Sequence, residues 1–298
     1  MTDISSATAA PLIDGLRLLA GRYDVALCDV WGVIHNGRRA FPAACDALTR
    51  FRESGGTVVL ITNAPRPNGP IQAQLDRLGV PRGAYDAIVT SGDVTVGLVR
   101  ARGAAPLHHI GPARDLTLFD TLAELGAAAP RVALAEASYV LCTGLFDDTR
   151  ETPADYDATF AAMLARKLTM ICANPDLVIH RGDDLVYCAG ALAQRYADGG
   201  GETIYAGKPY APIYHEALAR AAAARGGEID KSRVVAIGDA MRTDIAGAAS
   251  QGLDALFVAA GIHRDEIGGE SAIDAASFEQ FAARHGARPT AIIDTLVW

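Results

Sequence analysis

A chain of 298 residues exceeds the roughly 100–200 residues of a usual single domain, so two domains, or one domain with a large insertion, is the expectation. Apolar residues make up 50% of the chain and charged residues 21%, which supports a sizeable core and excludes intrinsic disorder. The formal net charge of −8 gives no electrostatic route to nucleic acid or an anionic membrane, though one local cation could still hold a small anionic substrate.

Met1 to Ala20 carries Asp3 and Asp14 and lacks a basic start and a continuous apolar stretch, so it does not read as a signal peptide. No stretch reaches the roughly 18 apolar residues of a membrane span. Val25 to Val30 is the first strand, and a loop through Asn36-Gly37 leads to a helix opening at Pro42, with Ala44, Leu48 and Phe51 on one face. Thr57 to Ile61 is the second strand, completing a βαβ unit with a right-handed crossover. Gln72 to Leu78 reads as a helix and Ala87 to Val89 as a short strand.

From about Asp93 the pattern restarts. Helices are expected around Val94 to Arg102, Leu116 to Leu122 and Tyr156 to Arg166, and strands at His108 to Ile110, Tyr139 to Cys142 and Thr169 to Cys172. This reads as a second α/β unit inserted at residues 93–200, leaving 1–92 and 201–298 as the core. The core resumes with a strand at Ile204-Tyr205, a helix from Ile213 to Arg225, a strand at Val234 to Ile237 and a helix from Thr243 to Gln251. A strand at Ala255 to Val258, a C-terminal helix and a strand at Ala291 to Ile293 complete it. The apolar, β-branched strand runs suit burial on both faces, so the fold class is α/β, a doubly wound Rossmann-like parallel sheet with an inserted α/β cap.

Cys28, Cys45, Cys142, Cys172 and Cys188 form no CxxC pair, and their odd number argues against a complete disulfide framework. Inert core thiols in a reduced, cytoplasmic protein are the expectation.

Polar groups stand at the ends of four of the apolar runs: Asp29, Thr62-Asn63, Lys208 between Gly207 and Pro209, and Asp239 followed by Asp244. Ligands of open α/β sheets bind at the carboxyl ends of the strands, so these runs would bring carboxylates, a hydroxyl and an ammonium into one crevice. Each alone has an ordinary reading: Asp29 as a turn or helix cap, Asp244 as a cap, Lys208 as a solvated surface residue. Together Asp29 and Asp239 make a two-carboxylate Mg²⁺ site that leaves positions for water and phosphate. Thr62 and the neighbouring amides can hold phosphate oxygens, and Lys208 can neutralise a transferring phosphoryl group.

In this order the segments Asp29-Val30-Trp31-Gly32-Val33, Thr62-Asn63, Lys208-Pro209 and Gly238-Asp239 through Thr243-Asp244 resemble the four motifs of the haloacid dehalogenase superfamily. With Gly111, Asn174-Pro175-Asp176-Leu177 and Gly190-Ala191-Leu192, the chain is similar to the NagD-type, 4-nitrophenylphosphatase-like branch over nearly its whole length. The resemblance implies Asp29 as a nucleophile forming an aspartyl-phosphate, with Thr62, Asn63 and Lys208 binding the phosphoryl. It further implies Mg²⁺ held by Asp29, Asp239 and the backbone carbonyl at Trp31, with Asp244 supporting the metal or Lys208.

The chain departs from that pattern at Trp31, where most of these phosphatases carry a second Asp that protonates the leaving group and then activates water. An indole cannot do either near neutral pH. Slow hydrolysis of the aspartyl-phosphate is therefore expected unless His35 in the same loop takes over; a surface-loop histidine is the plainer reading. Trp31 could also pack at the mouth or stack on a flat substrate group. Asn174 is read as a structural residue at the cap–core junction first and a substrate contact second, and His108 and His109 as satisfied cap histidines.

The expected function is Mg²⁺-dependent hydrolysis of a small phosphorylated metabolite, a sugar phosphate or nucleotide. The alternatives are a catalytically weakened phosphometabolite sensor and a phosphotransferase. The resemblance also admits a homodimer.

Overall fold

The computed structural model describes residues 10–127, 129–181, 184–267 and 275–298. Among these, seven strands form one parallel sheet in the order Leu12–Ile13, Ala291–Ile293, Asp254–Val258, Val234–Gly238, Val25–Cys28, Thr57–Thr62 and Ala87–Thr90. The strand centres contain no exposed residue, as a sheet covered on both faces requires.

Side-chain alternation splits each strand between two apolar layers. Ala26, Cys28, Val58 and Leu60 join Leu48 and Phe51 on one face. Val25, Leu27, Val59 and Ile61 join Ile213, Tyr214 and Phe257 on the other. Leu60 is fully buried, and truncating such a residue to alanine costs about 2–5 kcal/mol. The helix Pro42–Glu53 starts with proline in its first turn, where the missing N–H is harmless, and buries Ala44, Cys45, Ala47, Leu48 and Phe51 at helical spacing.

A second parallel sheet runs Thr203–Tyr205, Met170–Cys172, Tyr139–Cys142 and Leu107–Ile110, with its own apolar layers on both sides. Thr203–Tyr205 therefore does not return to the core sheet, and the expected end of the insertion at residue 200 is corrected by one strand. A three-residue edge strand carries no sequence mark of the sheet it joins; its backbone pairs with Met170–Cys172.

At the other end the helix Ser91–Arg100 leaves the tip of the core strand Ala87–Thr90. It is fixed there by a capping box in which Thr90 Oγ1 accepts from Asp93 N–H and Asp93 Oδ2 from Thr90 N–H, each at 2.9 Å. Its Val96 and Val99 already pack with Leu107, Leu118 and Leu141 of the second unit.

Two further elements were not anticipated. An antiparallel hairpin, Val178–Arg181 with Asp184–Tyr187, follows the Asn174-Pro175-Asp176 segment. The expected helix from Thr243 begins instead as a wide turn, Met241–Ile245, in which Ile245 N–H reaches back to Ala240 O at 3.3 Å before the helix Ala246–Ser250. Such wide turns re-aim side chains at functional sites. Among the described residues no helix is long and apolar enough to cross a membrane.

Candidate active site

Asp29 follows the strand Val25–Cys28 and Asp239 follows its neighbour Val234–Gly238. The ladder continues one step, with Asp29 N–H donating to Ile237 O at 2.8 Å, so the two aspartates leave the sheet side by side. The wide turn carries Asp244 to the same place, and carboxylate oxygens of Asp29, Asp239 and Asp244 all lie within 4.8 Å of one another. Lys208 Nζ donates to Asp29 Oδ1 and to Asp244 Oδ1, each at 2.6 Å. Asp239 Oδ2 accepts Ile262 N–H at 2.8 Å and Asp244 Oδ2 accepts Ala240 N–H at 3.1 Å. All four side chains are buried. Gly32 closes over them with φ +86°, and a Cβ there would stand 2.2 Å from Asp239 Oδ2, so only glycine lets the loop pass.

Three carboxylates face one ammonium, which leaves two negative charges in excess in a buried crevice if all are ionised. Burial, opposed by Lys208 and reinforced by Asp244 and Asp239, pushes the Asp29 carboxyl well above its usual range. Burial and Asp244 push Asp239 to about 7. Burial pulls the Lys208 ammonium down, but Asp244 and Asp29 outweigh it and hold the lysine firmly protonated. A hard, oxygen-liganded divalent cation fits this donor set and its charge deficit.

Asn63 ties three chain segments together. Its Oδ1 accepts Lys208 N–H at 2.7 Å, and its Nδ2 donates to Lys208 O at 3.2 Å and to Asp176 Oδ1 at 2.9 Å. Asp176 thus reaches from the inserted unit to the core beside the lysine. Thr62 is buried next to it, its Oγ1 facing Ala64 N–H at 3.3 Å. Asn174, read as a structural residue first and a substrate contact second, accepts Asp176 N–H through its Oδ1 at 3.1 Å while lining a neighbouring cavity.

Trp31 packs its ring over Gly37 and lies edge-on to His35 with centroids 5.1 Å apart. The surface-loop reading of His35 is corrected. It is 2% exposed, not a surface residue, because the loop folds back on itself through Gly32 N–H to His35 O at 2.8 Å. Its Nδ1 accepts Gly37 N–H at 3.0 Å, and burial lowers its pKa to about 4, so at neutral pH the ring is uncharged with its proton on Nε2. The lone pair a general base needs is already engaged.

The cluster borders a cavity of about 260 Å³ whose walls include Asp29, Trp31, Thr62, Asn63, Asp176, Lys208 and Asp239. A second cavity of about 130 Å³ shares Trp31, Thr62, Asp176 and Ile179 with it and adds His35, Arg66, Arg114, Asp115, Asp148 and Arg181. Sequence reasoning missed these charged residues; the available signal was Arg66 standing four places after Thr62 in the same loop. Another group of possible ligands, His263, Glu266 and His285, reads differently. His263 Nε2 accepts Met241 N–H at 3.3 Å, so its Nδ1 keeps the proton it shares with Glu266 at 2.6 Å.

The haloacid dehalogenase-like hydrolase family matches residues 26–126, and a second family described as HAD-hydrolase-like matches residues 205–297. A crystal structure of a hydrolase of the haloacid dehalogenase-like family from Brucella suis 1330 is 45% identical, covers 96% of this chain and 100% of its own, and superposes with a TM-score of 0.85. Human chronophin is 25% identical over 263 residues, 84% of this chain and 86% of that protein. The ribonucleotide monophosphatase NagD of Escherichia coli K12 is 25% identical over 239 residues, 79% and 87% respectively.

Proposed function

The chain belongs to the haloacid dehalogenase-like hydrolases, and we propose that it is a Mg²⁺-dependent phosphatase acting on a small phosphorylated metabolite, a sugar phosphate or nucleotide, through Asp29. One observation carries the reading: buried Lys208 is shared at 2.6 Å by Asp29 and Asp244, with Asp239 within reach, at the strand ends and beside a cavity. Asp29 and Asp239, with the Trp31 backbone carbonyl, would hold Mg²⁺, and Asp244 would support the metal and Lys208. When bound, the ion supplies positive charge beside the phosphoryl oxygens.

An Asp29 carboxylate oxygen attacks phosphorus, and the bond to the ester oxygen breaks with its electron pair moving to the leaving group. Lys208 and the Thr62 hydroxyl offset charge on the phosphoryl oxygens, while Asn63 fixes the Lys208 backbone. Water then attacks phosphorus, the bond to Asp29 breaks, and inorganic phosphate leaves with the carboxylate restored. Neither Trp31 nor His35 can shuttle the proton, so esters with good leaving groups are favoured and the second step is slow. The inserted unit covers the crevice and excludes water. Five free, buried thiols support a reducing, cytoplasmic setting.

Phosphate release from 4-nitrophenyl phosphate tests the reading: it should require Mg²⁺ and vanish in Asp29→Asn. Trp31 favours a second reading, a phosphometabolite sensor. Tight ligand binding without turnover in the Mg²⁺-loaded protein would select the sensor and reject the phosphatase.

A further inference from the structure

We infer that the smaller cavity beside the catalytic crevice receives the leaving group, and that it selects phosphomonoesters whose leaving group carries a second anionic group, bound by Arg66. The inference rests on the phosphatase reading of the crevice. The two cavities share walls at Trp31, Thr62, Asp176 and Ile179, so an ester whose phosphoryl group lies at Asp29 extends its other end into the smaller one. Its volume of about 130 Å³ is many times the ~10–15 Å³ that one water needs, enough for a short organic tail.

Charge decides what that tail carries. Arg66, Arg114 and Arg181 meet three carboxylates, Asp115, Asp148 and Asp176, so the walls balance in total. Asp176 is turned to the core side, where it accepts from Asn63 Nδ2, and what differs is how closely each arginine is matched. Arg114 and Arg181 are both held by the buried Asp148 carboxylate, the latter at 2.8 Å. Arg66 is not matched in the same way: its Nε stands 3.9 Å from Asp115 Oδ1, beyond hydrogen-bond reach, and its Nη2 donates to the neutral Gln74 Oε1 at 2.7 Å.

Burial lowers the Arg66 pKa, Asp115 only partly offsets this, and Arg114 and Arg77 lower it further, so its charge is under-compensated. A hydroxyl can take one of its N–H groups but cannot balance the charge. A carboxylate or phosphate can do both, through the planar fork of the guanidinium. Val30, Ile71 and Leu145 on the same walls suit a short aliphatic segment between the two anionic ends.

The test compares kcat/KM for three short esters that differ at the distal end: 3-phosphoglycerate with a carboxylate, propane-1,3-diol bisphosphate with a phosphate, and glycerol 1-phosphate with a hydroxyl. At least one anionic ester should exceed glycerol 1-phosphate by about tenfold to a hundredfold, and the arm that does so identifies the anion. That ratio should collapse to within about threefold in Arg66→Ala and Arg66→Gln, return in part in Arg66→Lys, and persist in the surface variant Arg82→Ala. Equal kcat/KM for all three esters in the wild type, or a ratio that survives both neutral variants, overturns the inference. If the wild type turns over none of them, the phosphatase reading is judged by 4-nitrophenyl phosphate and the subsite by binding. Thermal protection by 3-phosphoglycerate or the bisphosphate, stronger than by glycerol 1-phosphate and lost in Arg66→Gln, then supports it, and no such protection overturns it.

Discussion

Replacing Lys208 by methionine removes one charge from the centre of the site and little else. Methionine fills nearly the same space, and the backbone N–H and C=O of residue 208 keep their bonds to Asn63. At an effective dielectric of about 20, each 2.6 Å contact to Asp29 or Asp244 is a gross attraction of roughly 332/(20 × 2.6), or about 6 kcal/mol. Desolvation of the ammonium offsets most of that. Removing one partner of a buried pair nevertheless costs about 3–5 kcal/mol, because the remaining charges are stranded. The expected result in urea unfolding with a chelator at about pH 8 is a loss of that size.

The loss should shrink as pH falls through about 7, since the crowded carboxyls can then shed charge by protonation, Asp239 at about 7 in the intact site. Mg²⁺ should stabilise Lys208→Met more than the wild type, because the site then holds three uncompensated carboxylates instead of two, even as phosphatase activity is lost. Equal stability of the two proteins at pH 8, or a smaller Mg²⁺ shift in the variant, would refute the charge accounting.

Trp31→Asp should raise kcat/KM by about tenfold or more on alkyl phosphates and less on 4-nitrophenyl phosphate, whose leaving group needs little help; equal gains in kcat/KM on both would remove protonation of the leaving group as a missing function. His35 has its pKa lowered to about 4, so the unfolded chain takes up its proton first as pH falls, and stability present above about 6.5 is lost toward 4. That amounts to about 2 kcal/mol between pH 7.5 and 5, and His35→Asn should flatten the wild-type pH slope by this much in urea titrations; parallel slopes would contradict a buried neutral ring. Gly32→Ala places a methyl against Asp239 at a positive φ, so the Mg²⁺ concentration for half-maximal activity should rise about tenfold or more, with roughly 1–2 kcal/mol of stability lost. An unchanged metal requirement would show that the loop can relax.

The parallel core was legible because its strands are too apolar to be anything but buried on both faces, and the polar residues that end those runs had to meet at the carboxyl edge of the sheet. Asp29 and Asp239 were readable on that ground, since their strands are neighbours. The destination of Thr203–Tyr205 was not, because sheet membership depends on backbone pairing that three residues do not encode. The depth of His35 escaped for a related reason: Asn36-Gly37 signals a loop, and nothing in composition shows that the loop folds inward against Trp31. Arg66, Arg114 and Arg181 belong to three segments that meet only once the inserted unit sits over the core, so no local spacing links them.

On the resemblance, tryptophan at position 31 would separate two jobs, holding a metal and moving a proton, that one aspartate is expected to combine. On the proposed reading its contribution to holding a metal would come through a backbone carbonyl, which any residue provides, whereas proton transfer needs a titratable side chain. The burial of Asp29, the sharing of Lys208 and the clustering of Asp239 and Asp244 do not depend on the side chain at 31, so affinity for a metal and a phosphoryl group can persist without it. What Trp31 does instead is shape: its ring packs on Gly37, lies edge-on to His35 and walls both cavities. On the proposed reading, a site that keeps its charge pattern but lacks its proton carrier would depend on the leaving group for rate, which would put the burden of selection on the cavity inferred to receive that group. The uneven neutralisation of Arg66, in a cavity Trp31 helps to wall, is where that selection has a charge to act on.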